Sequence, residues 1–472
     1  MRWFYAFLLC WYGVGAAVAQ ELPEPLQRIL NGHSIPAENL SLLVQGVAAD
    51  VPVVSHYSQV PRNPASAIKL LTTWVALDEL GPTYTWPTEV YFLGGWDGHR
   101  LDGDLGIKGY GDPYLVTEEL WKLLNTLRRI GLEEIRGDLV IDASYFDGNS
   151  GDPGAFDRQP YRTYNVLPDA LLVNFKAVRF QFLEDSEAQE VRISADPWPS
   201  NLNIRNELEL VGGPCRGFQA GISFDLRDVA TGATAFFSGQ FPAACGPYSL
   251  SRSVLRHDTY VYGVFETLWR QLGGQIRGGS RREVINDGAE PALTWRSRPL
   301  AEVIRSINKF SNNVMTRQLL YTMAAEAYGA PGTEAGGIEF IKTYLRQQGL
   351  DPMTLVLDNG AGLSRRTRIS ATLLADVLLL AARSSFNPEY LASLSLGGLD
   401  GTTRTRFRRG AAAGNMHVKT GRLDHVSALA GYVHAASGET YVVVVMLNSP
   451  DAHRGPGEEL QDALVRWVHA LP

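Results

Sequence analysis

Cysteine is scarce in this chain, with three in 472 residues, at positions 10, 215 and 245. No Cys/His cluster, H-E-x-x-H or P-loop pattern occurs, so no metal and no cofactor are expected. A G-x-S-x-G elbow is also missing. Basic charge is not in excess: 43 Lys and Arg face 50 Asp and Glu, for a net charge of −7. That balance argues against a nucleic-acid partner, which calls for basic patches. Long like-charge runs, low-complexity tracts and short repeats are absent. Beyond the N-terminus no apolar run is long enough to span a bilayer. What remains is ordinary globular composition, 45% hydrophobic and 20% charged, over a length suited to two or three domains.

The N-terminus has the pattern of an export leader. Arg2 precedes an apolar run over 3–14, and Ala17-Val18-Ala19 is a small-x-small site. Cleavage after Ala19 is expected, with 1–19 as signal peptide; an uncleaved anchor is the alternative. Leu9 stands before Cys10, where a lipoprotein signal wants a small residue. Removal of the leader leaves Cys215 and Cys245, and an even pair in an exported chain points to one disulfide. Two buried free thiols are the alternative.

Two short strands are expected over 40–47 and 51–60. Asn63 then offers an N-cap and Pro64 an N1 residue for a helix to about Leu80, before Gly81-Pro82. Ile68, Leu70, Leu71, Trp74, Val75 and Leu77 lie on most sides of that helix, which makes it a core helix. From about Val90 to Ile285 Gly-rich strand signals dominate, broken by one clear helix over 117–130. Short strands are expected over 181–254. Helical periodicity returns at Leu300 with Val303, Ile304, Ile307 and Phe310. Strands are expected over 416–423 and 427–434, and the apolar run over 441–447 fits a buried central strand. Leu460, Ala463, Leu464, Trp467, Val468 and Leu471 form one face of a last helix that covers the sheet. Its other face carries Glu458, Glu459, Gln461, Asp462 and one Arg466, unlike a membrane-surface helix. At most peripheral membrane contact is expected.

Three short motifs stand in order: Ser66-Ala67-Ile68-Lys69, Ser311-Asn312-Asn313 and Lys419-Thr420-Gly421. In a first helical turn the Ser66 N–H has no intrahelical partner and is free for an oxyanion. Lys69, one turn on, reaches the Ser66 hydroxyl. It can serve as a base only if burial and a second cation, Lys419, depress its pKa. A nucleophile beside such a base is the general scheme of covalent catalysis. Ser311 and Asn313 can both face a cleft, the first to relay a proton and the second to hold a carbonyl. On a strand, Lys419 and Gly421 share a face; Gly421 would let a substrate backbone approach, and Lys419 with Thr420 suits a carboxylate. Ser306-Ile307-Asn308-Lys309 and Ser385-Phe386-Asn387 repeat two of the patterns. Ser306 lies in an amphipathic helix too close to Ser311 to form a separate wall. His417 and His425 are expected to be structural or rim histidines.

With these motifs the chain resembles the low-molecular-mass penicillin-binding proteins of the D-alanyl-D-alanine carboxypeptidase/endopeptidase, penicillin-binding protein 4 type. The segments 109–113, 137–142, 358–365 and 398–402 share the likeness. The resemblance implies an α/β (α+β) fold: a transpeptidase/β-lactamase-like domain, an antiparallel sheet flanked by helices, with two inserted β-rich domains. The catalytic domain would span 20–89 and 286–472, the second domain 90–180 and 255–285, and the third 181–254. The roughly 245 residues between Ser66 and Ser311 exceed a whole domain of about 100–150 residues.

The resemblance makes Ser66 the acyl nucleophile, Lys69 its base, Ser311 a proton relay and Asn313 a substrate-orienting group. Lys419 and Thr420 would bind the terminal carboxylate, and the N–H groups of Ser66 and Arg422 the oxyanion. Arg365, Asp157 and Tyr164 would line the pocket for the diamino acid of the peptide. Asn312, Arg422 and Asp424 depart from the common pattern; the middle residue of the second motif is expected to point away, and Asp424 to meet a substrate amine. The implied partners are peptidoglycan stem peptides and cross-links, with β-lactams as covalent inhibitors, in the periplasm. The alternatives are a β-lactamase or esterase on the same fold and a non-catalytic β-lactam sensor or scaffold.

Overall fold

The apolar run over 441–447 becomes the strand Thr440–Asn448, near the centre of a six-stranded antiparallel sheet. The order is Ser395–Leu396, Met416–Leu423, Val426–His434, Thr440–Asn448, Leu40–Gly46, Val54–His56. The run is continuous because both faces are covered. Val442, Val444 and Met446 pack with Trp74, Leu319 and Leu374. Tyr441, Val443, Val445 and Leu447 pack with Leu26, Leu460 and Leu464. The last helix, Pro456–His469, covers this second face together with Glu24–Gly32. The computed structural model describes residues 22–148, 151–185, 187–286, 288–408, 410 and 412–472. The expected leader over 1–19, with Cys10, lies outside them. Among the described residues no helix is long and apolar enough to cross a membrane.

On the first face, Lys69–Leu80 is the central helix, and every residue from Lys69 to Leu77 is buried. Its start differs from a helix running straight from Asn63. Ala65 takes φ +45°, a left-handed conformation that interrupts the run. A 3₁₀ turn over Ala65–Ile68 precedes the α-helix, and Asn63 Oδ1 accepts the Ala65 N–H at 2.8 Å. Ser66 therefore sits in the tight turn. The helices Leu300–Phe310, Asn313–Tyr328 and Ala371–Arg383 surround it.

Residues 87–142 and 275–296 build a seven-stranded mixed sheet. Its closing strand, Leu293–Arg296, pairs with the strand Pro87–Trp96. A second helix, His257–Gln271, joins Thr117–Arg129 here. Sequence reading saw only one. Tyr260, Val261, Val264, Phe265, Leu268 and Trp269 are among its buried positions; they recur at the helix period, although their β-branched and aromatic character favours strands. Two three-stranded sheets span 178–252, with strands of up to 11 residues. Their buried residues, including Phe180, Phe182 and Phe237, share one core with Leu123, Tyr260 and Trp269. Cys215 and Cys245 are not bonded to each other in the structure. They are nonetheless neighbours. Leu202–Val211 and Gly232–Pro242 run parallel and end together at Val211 and Pro242, so the loops carrying the two cysteines leave side by side. Desolvation and the adjacent Cys215 push the Cys245 thiol up to about 11.

Candidate active site

The three motifs meet at one place. Lys69 Nζ lies 3.0 Å from Ser66 Oγ and donates to Asn313 Oδ1 at 2.7 Å and to the Ala361 carbonyl. Lys69 is fully buried, and desolvation, followed by the charge of Lys419, drives its pKa well below 10.5. A neutral amine has two N–H groups and one lone pair. Once the amine is deprotonated, the two oxygen acceptors take its N–H groups and its lone pair faces the Ser66 hydroxyl. The geometry is that of a general base facing a nucleophile.

Lys419 Nζ donates to Ser311 Oγ at 2.8 Å and to the Thr420 carbonyl at 2.9 Å. Burial lowers its pKa to about 7, so an arriving anion would draw a full positive charge onto it. The Thr420 hydroxyl shares a 2.8 Å hydrogen bond with that of Thr402. Ser311 is a turn residue at φ +56° between two helices. Asn312 does point away: its Oδ1 caps the next helix by accepting the Met315 N–H at 3.1 Å. Asn313 is the first residue of that helix, and its Nδ2 donates to the Tyr164 carbonyl at 3.1 Å.

Gly421 acts differently from expectation. A Cβ there would fall 2.2 Å from the Pro64 carbonyl and 3.1 Å from Ser66 N. The space is taken by the Ser66 turn, not by a substrate backbone, because strand and turn pack backbone to backbone. Gly362, at φ +80°, does the same from the other side, with a Cβ position 2.0 Å from the Ala65 carbonyl. The Ser66 N–H, second in its turn, has no intrahelical acceptor. The exposed Arg422 side chain reaches to 3.7 Å from Glu458. A cavity of about 300 Å³ opens between Ser66, Ser311, Thr420 and Gly421 and runs on towards Arg406 and Gln461.

The peripheral residues form two pairs. Arg365 lies 3.6 Å from Asp424, and Tyr164 OH donates to Asp157 at 2.6 Å. Arg365 also stacks over Phe156, 5.1 Å from its ring centre, which brings both pairs to one rim. Burial works against the charge of Asp157, but donors from Tyr164, Asn165 and Gln159 outweigh it and hold its carboxyl below the usual range. Asp424 has protein partners already: Arg365, and His453 Nε2 at 3.7 Å. His417 Nδ1 is 3.1 Å from the Leu391 carbonyl. His425, Asp451 and His453 bring possible donor atoms within 4.8 Å of one another. However, His425 Nδ1 accepts the Asp451 N–H and His453 Nδ1 accepts the His425 N–H. Both Nδ1 atoms are thus engaged by backbone N–H groups.

The decoy motifs lie elsewhere. Lys309 is buried, donating to Asp400 at 2.5 Å and to the Leu394 carbonyl at 2.8 Å. Asn387 begins a short helix and donates to the Ala382 carbonyl. Reading the motifs alone misses Ala361, Thr402 and the Tyr164 carbonyl. The glycine-rich segments 358–365 and 398–402 were the available signal for the first two. No side-chain pattern marks a carbonyl acceptor such as that of Tyr164.

Residues 22–471 match the family described as the D-Ala-D-Ala carboxypeptidase 3 (S13) family. A D-alanyl-D-alanine carboxypeptidase from an Actinomadura species is 28% identical, over 94% of this chain and 84% of that one. The crystal structure of penicillin binding protein 4 from Haemophilus influenzae is similar at TM-score 0.79 and 22% identity, covering 94% of this chain and 99% of that one. It is also known complexed with a β-lactam. A predatory endopeptidase from Bdellovibrio bacteriovorus is similar at TM-score 0.53 and 16% identity, covering 91% of this chain and 92% of that one.

Proposed function

The chain belongs to the D-Ala-D-Ala carboxypeptidase 3 (S13) family, and on that premise we propose a serine peptidase that removes or cleaves at D-alanine in peptidoglycan through an acyl-enzyme on Ser66. Lys69 takes the Ser66 proton as Oγ attacks the D-Ala-D-Ala carbonyl. The oxyanion rests on the N–H groups of Ser66 and Arg422. Ser311, bonded to Lys419, passes a proton to the departing amine, and D-alanine leaves. Water then attacks the ester, the same groups returning the proton to Ser66. Lys419 and Thr420 receive the terminal carboxylate, and Asn313 orients the peptide. In the endopeptidase reaction the amine that leaves belongs to a cross-linked neighbour. Arg365, Asp424, Asp157 and Tyr164 surround the diamino acid side chain.

The observation that carries this reading is the 3.0 Å approach to Ser66 Oγ of a fully buried Lys69, whose pKa desolvation drives well down. A β-lactam offers the same carbonyl and remains attached. Intact-protein mass spectrometry with penicillin is expected to show one adduct on the wild type and none on Ser66→Ala. An adduct that survives the substitution would sink the assignment.

The protein works in the periplasm after loss of its leader at Ala19. There Cys215 and Cys245, already adjacent, are oxidised to a disulfide. Alkylation of the exported protein without reductant should then label neither cysteine; labelling of both would refute the pairing.

A further inference from the structure

A larger cavity, about 550 Å³, lies away from Ser66 and shares no lining residue with its cleft. It is framed by the start of the helix Thr117–Arg129, the strand Val178–Asp185 and the chain at Asp196-Pro197. Its volume is within the range of small-molecule sites, roughly 300–1,000 Å³. Trp121 lines it and is 42% exposed. Trp198, next to the lining Pro197, is 45% exposed. An indole left open beside a polar cavity presents a flat apolar face with wet surroundings. That is the surface a pyranose ring stacks upon.

The lining charge decides the ligand class. Glu118 and Asp196 oppose Lys122 and Arg179, two of each sign. Arg179 and Asp196 pair at 2.7 Å, and Lys122 pairs with Glu119 at 3.0 Å. A balanced set attracts neither an anion nor a cation, but supplies donors and acceptors in equal measure to hydroxyl groups. Asn174 adds an amide, held by a hydrogen bond to the Ala177 carbonyl at 3.0 Å. A backbone path leads from the wall of this cavity to the catalytic site. Ser251 lines it; two residues on, the Ser253 N–H donates to the Tyr161 carbonyl at 2.8 Å. Three residues after Tyr161 comes Tyr164, whose carbonyl holds Asn313.

We propose that this cavity is a subsite for the glycan strand, with an uncharged N-acetylated amino sugar stacked on Trp121. The proposal rests on peptidoglycan being the substrate, and it explains how an enzyme for a polymer could hold more than the peptide. Trp121→Ala is exposed enough to fold, and Trp121→Phe keeps an aromatic face. Two substrates separate the claims: a soluble D-Ala-D-Ala tripeptide and intact sacculi. Wild type and both variants should cleave the tripeptide alike, while Trp121→Ala cleaves sacculi about tenfold more slowly and Trp121→Phe recovers most of the rate. Calorimetry with chitotetraose should show binding to wild type and a loss of about tenfold with Trp121→Ala. Equal cleavage of sacculi by wild type and Trp121→Ala, or no chitotetraose binding to wild type, overturns the proposal. A wild type that cleaves no tripeptide would instead strike the peptidase reading itself.

Discussion

Lys69 and Lys419 are both fully buried, and neither hydrogen-bonds to a carboxylate among the described residues; this sets the chemistry. Desolvation is the largest cause of the lowered pKa at both lysines. Lys309, on a motif of the same form, is buried too, but Asp400 sits at 2.5 Å. The difference between a base and a structural cation is thus the partner, which the four-residue pattern leaves unspecified. Such burial costs stability. Lys419 falls from 10.5 to about 7, so between those values the unfolded chain binds more protons than the folded one. Stability from this residue therefore rises with pH through that window and is lost as pH falls towards 7. Lys419→Met should gain about 2–5 °C in Tm at pH 7, less at pH 10, while losing peptidase activity. Thermal melts at both pH values, beside a tripeptide assay, check it; a lower Tm at pH 7 would contradict it.

The Ser66 turn is held from two sides by backbone. Gly421 on the strand and Gly362 on the loop leave no room for a Cβ. The turn bends at Ala65, whose φ of +45° is rare for a residue with a side chain. Gly421→Ala should push the turn away from Lys69, and a displacement of this kind costs on the order of 10²-fold in rate. Rates of penicillin acylation would show it, with circular dichroism unchanged; near-wild-type acylation would mean that the turn is softer than the packing indicates. The motif order, the central strand and the covering helix were legible from period and composition. The role of Gly421 was not, since a glycine in a strand announces close approach without naming what approaches. The helix His257–Gln271 was legible in spacing, since its buried pairs 260/261, 264/265 and 268/269 recur at the helix period; residue type alone, β-branched and aromatic, points to strands.

Across the whole molecule, the sheet that carries Lys419 has its own cores on its two faces, and the inserted β-rich region has another. The region over 181–254 contributes Phe182, Leu202 and Phe237 to the same core as Leu123 and Tyr260. Removing 181–254 should therefore strip Val178, Phe180 and Tyr260 of cover, giving a protein that aggregates or melts at a lower temperature. Light scattering and calorimetry of the deletion variant test this; a monomer with unchanged Tm would show that the two parts fold apart. The chain alone determined which residues could do chemistry, because a serine with a lysine one turn on, a second hydroxyl–amide pair and a Lys-Thr-Gly strand are local patterns. It also determined the layered sheet, because period and apolar runs report local burial. Only the tertiary structure decided that the Lys69 pKa is depressed, that the Ala361 and Tyr164 carbonyls hold the site, and that Gly421 serves the turn. Those outcomes depend on desolvation and on contacts between segments up to hundreds of residues apart, and neither is written in any short stretch of sequence.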